Sequence, residues 1–161
     1  MIRLVLALGI VLNLFVLVRS STWRQEPELI PILVFLTDDL SVRDVSSYGA
    51  PDVRTPQIDR LAEVGMRFDR AFIASPACAP SRAAFLTGLM PARNGAEANH
   101  TYPFDHVRSL IPPLQELGYE VAAFGKEGHG NEKNLLRYGF DHLDQSYQAE
   151  TVETWLATRD S

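Results

Sequence analysis

Cysteine is almost absent from this sequence. Cys78 stands alone among 161 residues, so no disulfide can form within the chain. The sequence also lacks a basic stripe or a basic patch interleaved with aromatic residues, and its net charge is −5 at pH 7, so nucleic acid is not expected as a partner. Repeats and low-complexity tracts are missing too, and 46% of the residues are hydrophobic. Length and composition therefore indicate one domain with a substantial core.

The one long apolar run occupies residues 4–18, between Arg3 and Arg19. It is shorter than the roughly 20 residues that a membrane-spanning helix needs, and it is typical of the apolar part of a signal peptide. We therefore assign residues 1–20 to a signal peptide, which is either cleaved or kept as an uncleaved anchor, and residues 21–161 to the folded domain. The assignment predicts export to a periplasmic, extracellular or lumenal compartment, with membrane contact only if the leader is retained.

Export makes the unpaired Cys78 unusual, because exported proteins commonly pair their cysteines. Pro80, two residues later, is typical of the first turn of a helix, and residues 83–86 can continue that helix. Cys78 is therefore predicted at a helix N-terminus, where the helix dipole and free amide groups favour an anion. The alternative is an inert structural thiol beside an ordinary helix start.

Adjacent carboxylates, Asp38 and Asp39, follow the apolar run of residues 30–37. A short continuous apolar run predicts a strand buried on both faces of a parallel sheet. Ligands of open α/β sheets bind beyond the carboxyl ends of the strands. Two carboxylates at such an end either hold a cation between them or form a solvated turn in which one of them is a cap.

Two more strands are predicted, at residues 66–73 and 119–124, with helices at 55–65, from Cys78 onward, at 109–117 and at 145–159. The second strand leads into the Cys78 segment. Asp38, Asp39 and Cys78 are therefore expected to meet along one edge of the sheet. The third strand ends at a glycine-rich turn, residues 125–130, which contains Lys126 and His129 and suits an anion.

Several stretches resemble the sulfatases of the alkaline-phosphatase-like superfamily. They occur in the family's order: ILVFLTDD at 32–39, TPQIDRL at 55–61, GMRFDRAF at 65–72, CAPSRAAFLTG at 78–88, GK at 125–126 and GFD at 139–141. The resemblance implies an α/β fold with a mostly parallel sheet sandwiched by helices. The chain ends about where that family begins its next central strand. Residues 21–161 are therefore expected to be the N-terminal part of a sulfatase catalytic domain.

The resemblance also implies roles for individual residues. In sulfatases, a maturation enzyme oxidises the cysteine of this motif to formylglycine, an aldehyde whose hydrate has two hydroxyls. One hydroxyl attacks the sulfur and the other expels sulfate, so Cys78 would be a precursor and not a thiol nucleophile. Asp38, Asp39 and the converted Cys78 correspond to ligands of a calcium ion.

Three cationic side chains complete the implied site. Arg82 corresponds to the arginine that steadies the formylglycine, and Lys126 to the lysine that contacts the sulfate. The family commonly has a histidine two positions after that lysine, whereas His129 stands three positions after Lys126. We carry His129 over as a catalytic candidate despite the shifted spacing.

The implied activity is hydrolysis of sulfate esters or sulfamates, with sulfated glycans as the expected substrate class. Residues 105–117 somewhat resemble sulfamidase-type members of the family. Two alternatives stay open from the sequence. One is a non-catalytic, truncated or binding protein with a sulfatase fold. The other is a phosphoester or phosphonate hydrolase of the same superfamily, against which Cys78 argues because those enzymes usually have threonine or serine at the nucleophile position.

Overall fold

The structure is a computed structural model that describes residues 29–126 and 135–159. The chain divides into two compact units, residues 1–33 and 34–161. Only residues 29–33 of the first unit are described, and they form neither helix nor strand; the predicted leader at residues 1–20 lies outside the described residues. In the part of the chain that the structure describes, no helix combines the length and hydropathy needed to cross a membrane.

The second unit is an α/β arrangement of short helices and a small parallel sheet. Two 3₁₀ helices, Val42–Asp44 and Ser46–Tyr48, precede the first α-helix. The described α-helices are α1 (Pro56–Val64), α2 (Cys78–Thr87), α3 (Pro91–Asn94), α4 (Ile111–Glu116) and α5 (Ala149–Ala157). The described strands are β1 (Ala122–Phe124) and β2 (His142–Asp144), and a third 3₁₀ helix, Leu136–Tyr138, lies between them.

Helix α1 confirms the predicted helix at residues 55–65. Thr55 is its N-cap residue, Pro56 opens it, and the amide of Gly65 closes it on the carbonyl of Leu61. The Thr55 hydroxyl does not cap the helix; it donates to Asp59 Oδ1 at 3.1 Å and lies 2.8 Å from the Ser46 hydroxyl. The loop before α1 is therefore tied to the first turn of the helix by side-chain hydrogen bonds.

Helix α2 begins at Cys78, as the sequence predicts, and ends at Gly88, whose φ of 67° is the left-handed conformation favoured by glycine. Most of its side chains are buried: Ala79, Pro80, Arg82, Ala83, Ala84 and Leu86. The amide of Leu110 donates to the carbonyl of Leu86 at 2.7 Å, which joins the end of α2 to the start of α4. Helix α2 is thus held from both its buried face and its C-terminal end.

The core of the described unit lies beside the last turn of α2. Leu86, Ile111, Leu135 and Tyr138 form its buried cluster, and the partly buried residues packed against it are Leu110, Val121, Phe140 and Leu143. Buried apolar side chains of this size each contribute about 1.5–3 kcal/mol relative to an exposed position. This core therefore anchors α2, α4 and the small sheet to one another.

Strands β1 and β2 pair in parallel, with Ala122 opposite His142 and Phe124 opposite Asp144. The side chain of Asp141 supports this pairing, because its Oδ2 accepts from the amide of Val121 at 2.8 Å. β1 lies within the strand predicted at residues 119–124. Lys126 follows two residues after its end, at the position that the sequence predicts for a site residue.

Two other predicted strands are wrong. Residues 30–37 and 66–73 form no strand, and their large side chains are exposed: Phe35 is 81% exposed and Phe72 is 91% exposed. A buried strand needs neighbouring strands on both sides, and among the described residues the only sheet consists of β1 paired with β2. The sheet is consequently smaller than the helix-covered parallel sheet that the resemblance implies.

Candidate active site

The site is built around the carboxylate of Asp38, which receives two cationic side chains. Lys126 Nζ donates to Asp38 Oδ2 at 2.6 Å, and Arg82 Nη2 lies 3.6 Å from Asp38 Oδ1. A carboxylate with one cation on each oxygen is fixed in orientation as well as charge-compensated. Asp38 is therefore the electrostatic centre of the site.

Arg82 links this carboxylate to the end of β1. It is only 5% exposed, because it lies on the buried face of α2, and its Nη1 donates to the backbone carbonyl of Lys126. The same guanidinium contacts Asp38, so Arg82, Lys126 and Asp38 form a closed triangle of side-chain and main-chain contacts. The planar guanidinium suits this arrangement because its donors point in fixed, divergent directions.

Cys78 enters the site as the first residue of α2. Asp38, Asp39 and Cys78 each offer one ligand atom, and these atoms all lie within 4.8 Å of one another. Asp39 has a φ of 54°, a left-handed conformation that bends the chain after the extended segment. The bend matters because successive side chains of an extended strand would point to opposite sides. The juxtaposition expected from the sequence is present, but a bend and not a strand end delivers the two carboxylates.

Electrostatics in the site favour the charged forms of both partners of the Asp38–Lys126 pair. The hydrogen bond from Lys126 is the largest cause that lowers the pKa of Asp38 below 3.8, and the charges of Lys126 and Arg82 add to it. The same hydrogen bond raises the pKa of Lys126 above 10.5, with a further contribution from Cys78. The contribution of Asp38 to folding stability is fully present above the pKa that Asp38 has in the unfolded chain, and it is lost as pH falls through its lowered pKa in the folded chain. The contribution of Lys126 to folding stability is lost as pH rises through its raised pKa in the folded chain.

This pairing predicts a specific change in titration. Replacing Lys126 by methionine (Lys126→Met) removes the hydrogen bond, so the pKa of Asp38 should rise towards its ordinary value of 3.8. The carboxyl carbon resonances of a ¹³C-labelled chain would be followed from acid to neutral pH. Asp44 is the internal control, because its lowered pKa comes from hydrogen bonds with Ser41 and should not move. An Asp38 pKa that stays unchanged in the variant would contradict the pairing.

Two carboxylates beside Cys78 fit part of a site for a hard divalent cation. Carboxylate oxygens suit Ca²⁺, which takes six to eight oxygen ligands, whereas a thiol sulfur does not. An aldehyde hydrate at Cys78 would replace that sulfur with oxygen. Lys126 Nζ contacts one Asp38 oxygen, so a cation bound there would have to share Asp38 with the ammonium group. The two carboxylates therefore offer donors of the type that calcium takes.

The structure brings together five of the six predicted site residues. Asp38, Asp39, Cys78, Arg82 and Lys126 lie in one cluster, whereas His129 falls in residues 127–134, outside the described part of the chain. The roles of all six stay predictions.

Sequence reasoning missed Asn99, which touches the start of α2. Its Oδ1 accepts from the amide of Ala79, the second residue of the helix, at 3.1 Å. The signal available in the sequence was indirect. Ala77, immediately before Cys78, has no side chain that can cap a helix, so the helix start is open to an acceptor from elsewhere.

Comparison with known proteins adds a family match. The family model described as Sulfatase matches residues 31–159. The ulvan-active sulfatase of Formosa agariphila is 38% identical over 120 residues, which are 74% of this chain and 23% of that protein. Human N-acetylgalactosamine-6-sulfatase is 38% identical over 125 residues, 68% of this chain and 24% of that protein. Mouse steryl-sulfatase is 37% identical over 130 residues, which are 69% of this chain and 21% of that protein. The chain thus spans less than a quarter of the length of these curated relatives.

Proposed function

Because this chain belongs to the sulfatase family, we propose that it carries the nucleophile end of an enzyme that hydrolyses sulfate esters or sulfamates. The observation that carries the proposal is the position of Cys78 at the start of α2, with the ligand atoms of Asp38 and Asp39 within 4.8 Å. In this proposal Cys78 stands for its formylglycine product, formed by a maturation enzyme that supplies the oxidant. The hydrated formylglycine supplies a hydroxyl nucleophile next to the cationic side chains of Lys126 and Arg82 and to a helix N-terminus.

Lys126 is proposed to bind the anionic substrate group, and Arg82 to steady the formylglycine. The ammonium group of Lys126 is protonated at neutral pH, and its raised pKa extends that protonation to higher pH, so it can donate to a sulfate oxygen. Arg82 is held by the Lys126 carbonyl and is therefore aligned before substrate arrives. The N-terminus of α2 adds the positive end of a helix dipole at the same place. Three positive contributions thus lie close to Cys78 and Asp38, beside the proposed position of the sulfate group.

Asp38 and Asp39 are proposed to hold a calcium ion. When bound, the ion would supply positive charge for the sulfate oxygens and lower the pKa of a nearby hydroxyl. The support from the structure is the pair of carboxylates at one bend beside Cys78. The orientation of Asp38 by Lys126 and Arg82 is part of the same support, because a preset ligand loses less entropy on binding.

The substrate class proposed is a sulfated carbohydrate. Two of the similar proteins are named for ulvan and for an N-acetylated amino sugar, and a third is named for steryl sulfate. These names share the sulfate group and differ in the alcohol, so the sulfate ester is the firmer part of the proposal. Export through the leader at residues 1–20, and encounter there with the maturation enzyme, are proposed alongside it.

The proposal is tested by expressing the full-length gene product with and without a formylglycine-generating enzyme. Mass spectrometry of the Cys78 peptide should show the mass change from thiol to aldehyde only with the maturation enzyme. Sulfate release from an aryl sulfate should follow that conversion, stop on treatment with EDTA and return with Ca²⁺. A fully converted protein that releases no sulfate would favour a non-catalytic member of the family. Faster cleavage of an aryl phosphate than of the sulfate would favour a phosphoester hydrolase.

A further inference from the structure

We propose that Asn99 is a positioning residue, which caps α2 from a distant turn and thereby fixes Cys78 in the site. This role rests on the proposed function in one respect: Cys78 is taken as the residue that reacts. Asn99 lies 20 residues beyond Ala79 in sequence, in a polar loop that contributes no other residue to the proposed function.

The start of α2 cannot cap itself. Its N-cap residue is Ala77, which has no capping side chain, and its third residue is Pro80, which has no amide hydrogen. The amide of Ser81 is satisfied within the helix by the Ala77 carbonyl at 3.1 Å. The amide of Ala79 is satisfied by Asn99 Oδ1, also at 3.1 Å. Asn99 therefore supplies the hydrogen bond that an asparagine or serine at the N-cap position normally makes.

Asn99 is presented by a tightly closed turn. The amide of Thr101 donates to the Ala98 carbonyl at 3.1 Å, and the amide of Ala98 donates to the Thr101 hydroxyl at 3.0 Å. Within this turn His100 has a φ of 69°, a conformation that non-glycine residues adopt uncommonly and that costs free energy. The hydrogen bonds of this turn hold Asn99 against the start of α2.

The consequence for the site follows from the position of Cys78. It is the first residue of α2, so the hydrogen bond that the next residue, Ala79, donates to Asn99 adds to the Ser81–Ala77 hydrogen bond in keeping the first turn closed. A frayed turn would let Cys78 leave the cluster that it forms with Asp38 and Asp39. Asn99 thus acts on the nucleophile through Ala79 and not by touching substrate.

The test uses nuclear magnetic resonance on the ¹³C,¹⁵N-labelled 161-residue chain. Asn99→Ala should accelerate hydrogen exchange of the Ala79 amide by about fivefold or more, the effect of losing one helix cap. The Cα shift of Cys78 should move from helical towards random-coil values. Asn99→Asp, whose carboxylate accepts the same hydrogen bond, should restore both signals.

Gly88→Ala is the matched control. It strains the opposite end of α2, where the φ of 67° disfavours alanine, so it also weakens the helix but does not touch its first turn. The Ala79 exchange rate and the Cys78 shift should stay at wild-type values in this variant. Unchanged Ala79 exchange in Asn99→Ala, or an equal change in Gly88→Ala, would overturn the role of Asn99.

Failure of this role and failure of the proposed function are distinguishable. The cap is read from the amide of Ala79 in the unmodified thiol form, without any catalytic step. Conversion of Cys78 to the aldehyde is read separately by mass spectrometry. A confirmed cap with an unconverted Cys78 would remove the sulfatase mechanism and keep Asn99 as the residue that orders this helix start.

Discussion

Replacing Cys78 by alanine (Cys78→Ala) is expected to lower kcat for sulfate release by the matured gene product by roughly 10³- to 10⁶-fold, the range seen when a covalent nucleophile is removed. Lys126 and Arg82 would keep their contacts with Asp38, which do not involve the Cys78 side chain. The Michaelis constant should therefore change far less than kcat. Steady-state kinetics with an aryl sulfate would separate the two constants.

Cys78→Ser provides the informative partner of the alanine variant. A serine hydroxyl can attack sulfur once, but it lacks the second hydroxyl that expels sulfate from an aldehyde hydrate. The serine variant should release about one equivalent of alcohol per protein in a single burst, and should then carry a stable sulfate ester detectable by mass spectrometry. Repeated turnover by the serine variant, or retained activity in the alanine variant, would exclude formylglycine chemistry at this position.

Replacing Arg82 by lysine (Arg82→Lys) is expected to cost about 2 kcal/mol of unfolding free energy, although the positive charge is kept. Arg82 is 5% exposed and uses two different nitrogens, one for the Lys126 carbonyl and one for Asp38. A lysine has a single ammonium group on a flexible stem, so one of these partners would lose its contact. Urea denaturation followed by circular dichroism would measure the loss.

Arg108 offers a matched control for this substitution. It also forms an ion pair, with Glu116 at 3.4 Å, but both side chains are 71% exposed. Exposed pairs contribute little, so Arg108→Lys should change the free energy of unfolding by less than about 0.5 kcal/mol. Equal effects of Arg82→Lys and Arg108→Lys would mean that burial and the contact with the Lys126 carbonyl do not matter for stability.

Helix boundaries were predictable from sequence where the signals are local. Pro56 and Gly65 delimit α1, and Pro80 in the first turn and Gly88 after the last one mark α2, because proline and glycine constrain the backbone by themselves. The strands predicted at residues 30–37 and 66–73 failed because strand formation depends on partners elsewhere in the chain. Apolar composition indicates that a segment favours burial, but it does not specify which neighbour provides it.

The candidate site was predictable to a similar degree. Asp38, Asp39 and Cys78 were expected together because they follow apolar segments that the sequence predicts as strands, and the family resemblance added Lys126. The four do lie together, although only Lys126 follows an actual strand. Asn99 was not predictable because its hydrogen bond connects residues 20 positions apart through a turn. No local pattern specifies which loop residue reaches a helix start that lacks its own cap.

The triangle of Asp38, Arg82 and Lys126 also bears on how this protein folds. Its contacts join residues 88 and 44 positions apart in sequence. Closing such long loops costs chain entropy that no contact within a single helix can offset. The charged cluster at the start of α2 can form only once three distant segments have met. The geometry of the candidate site is therefore a product of global folding, and any condition that loosens the chain should disperse the cluster.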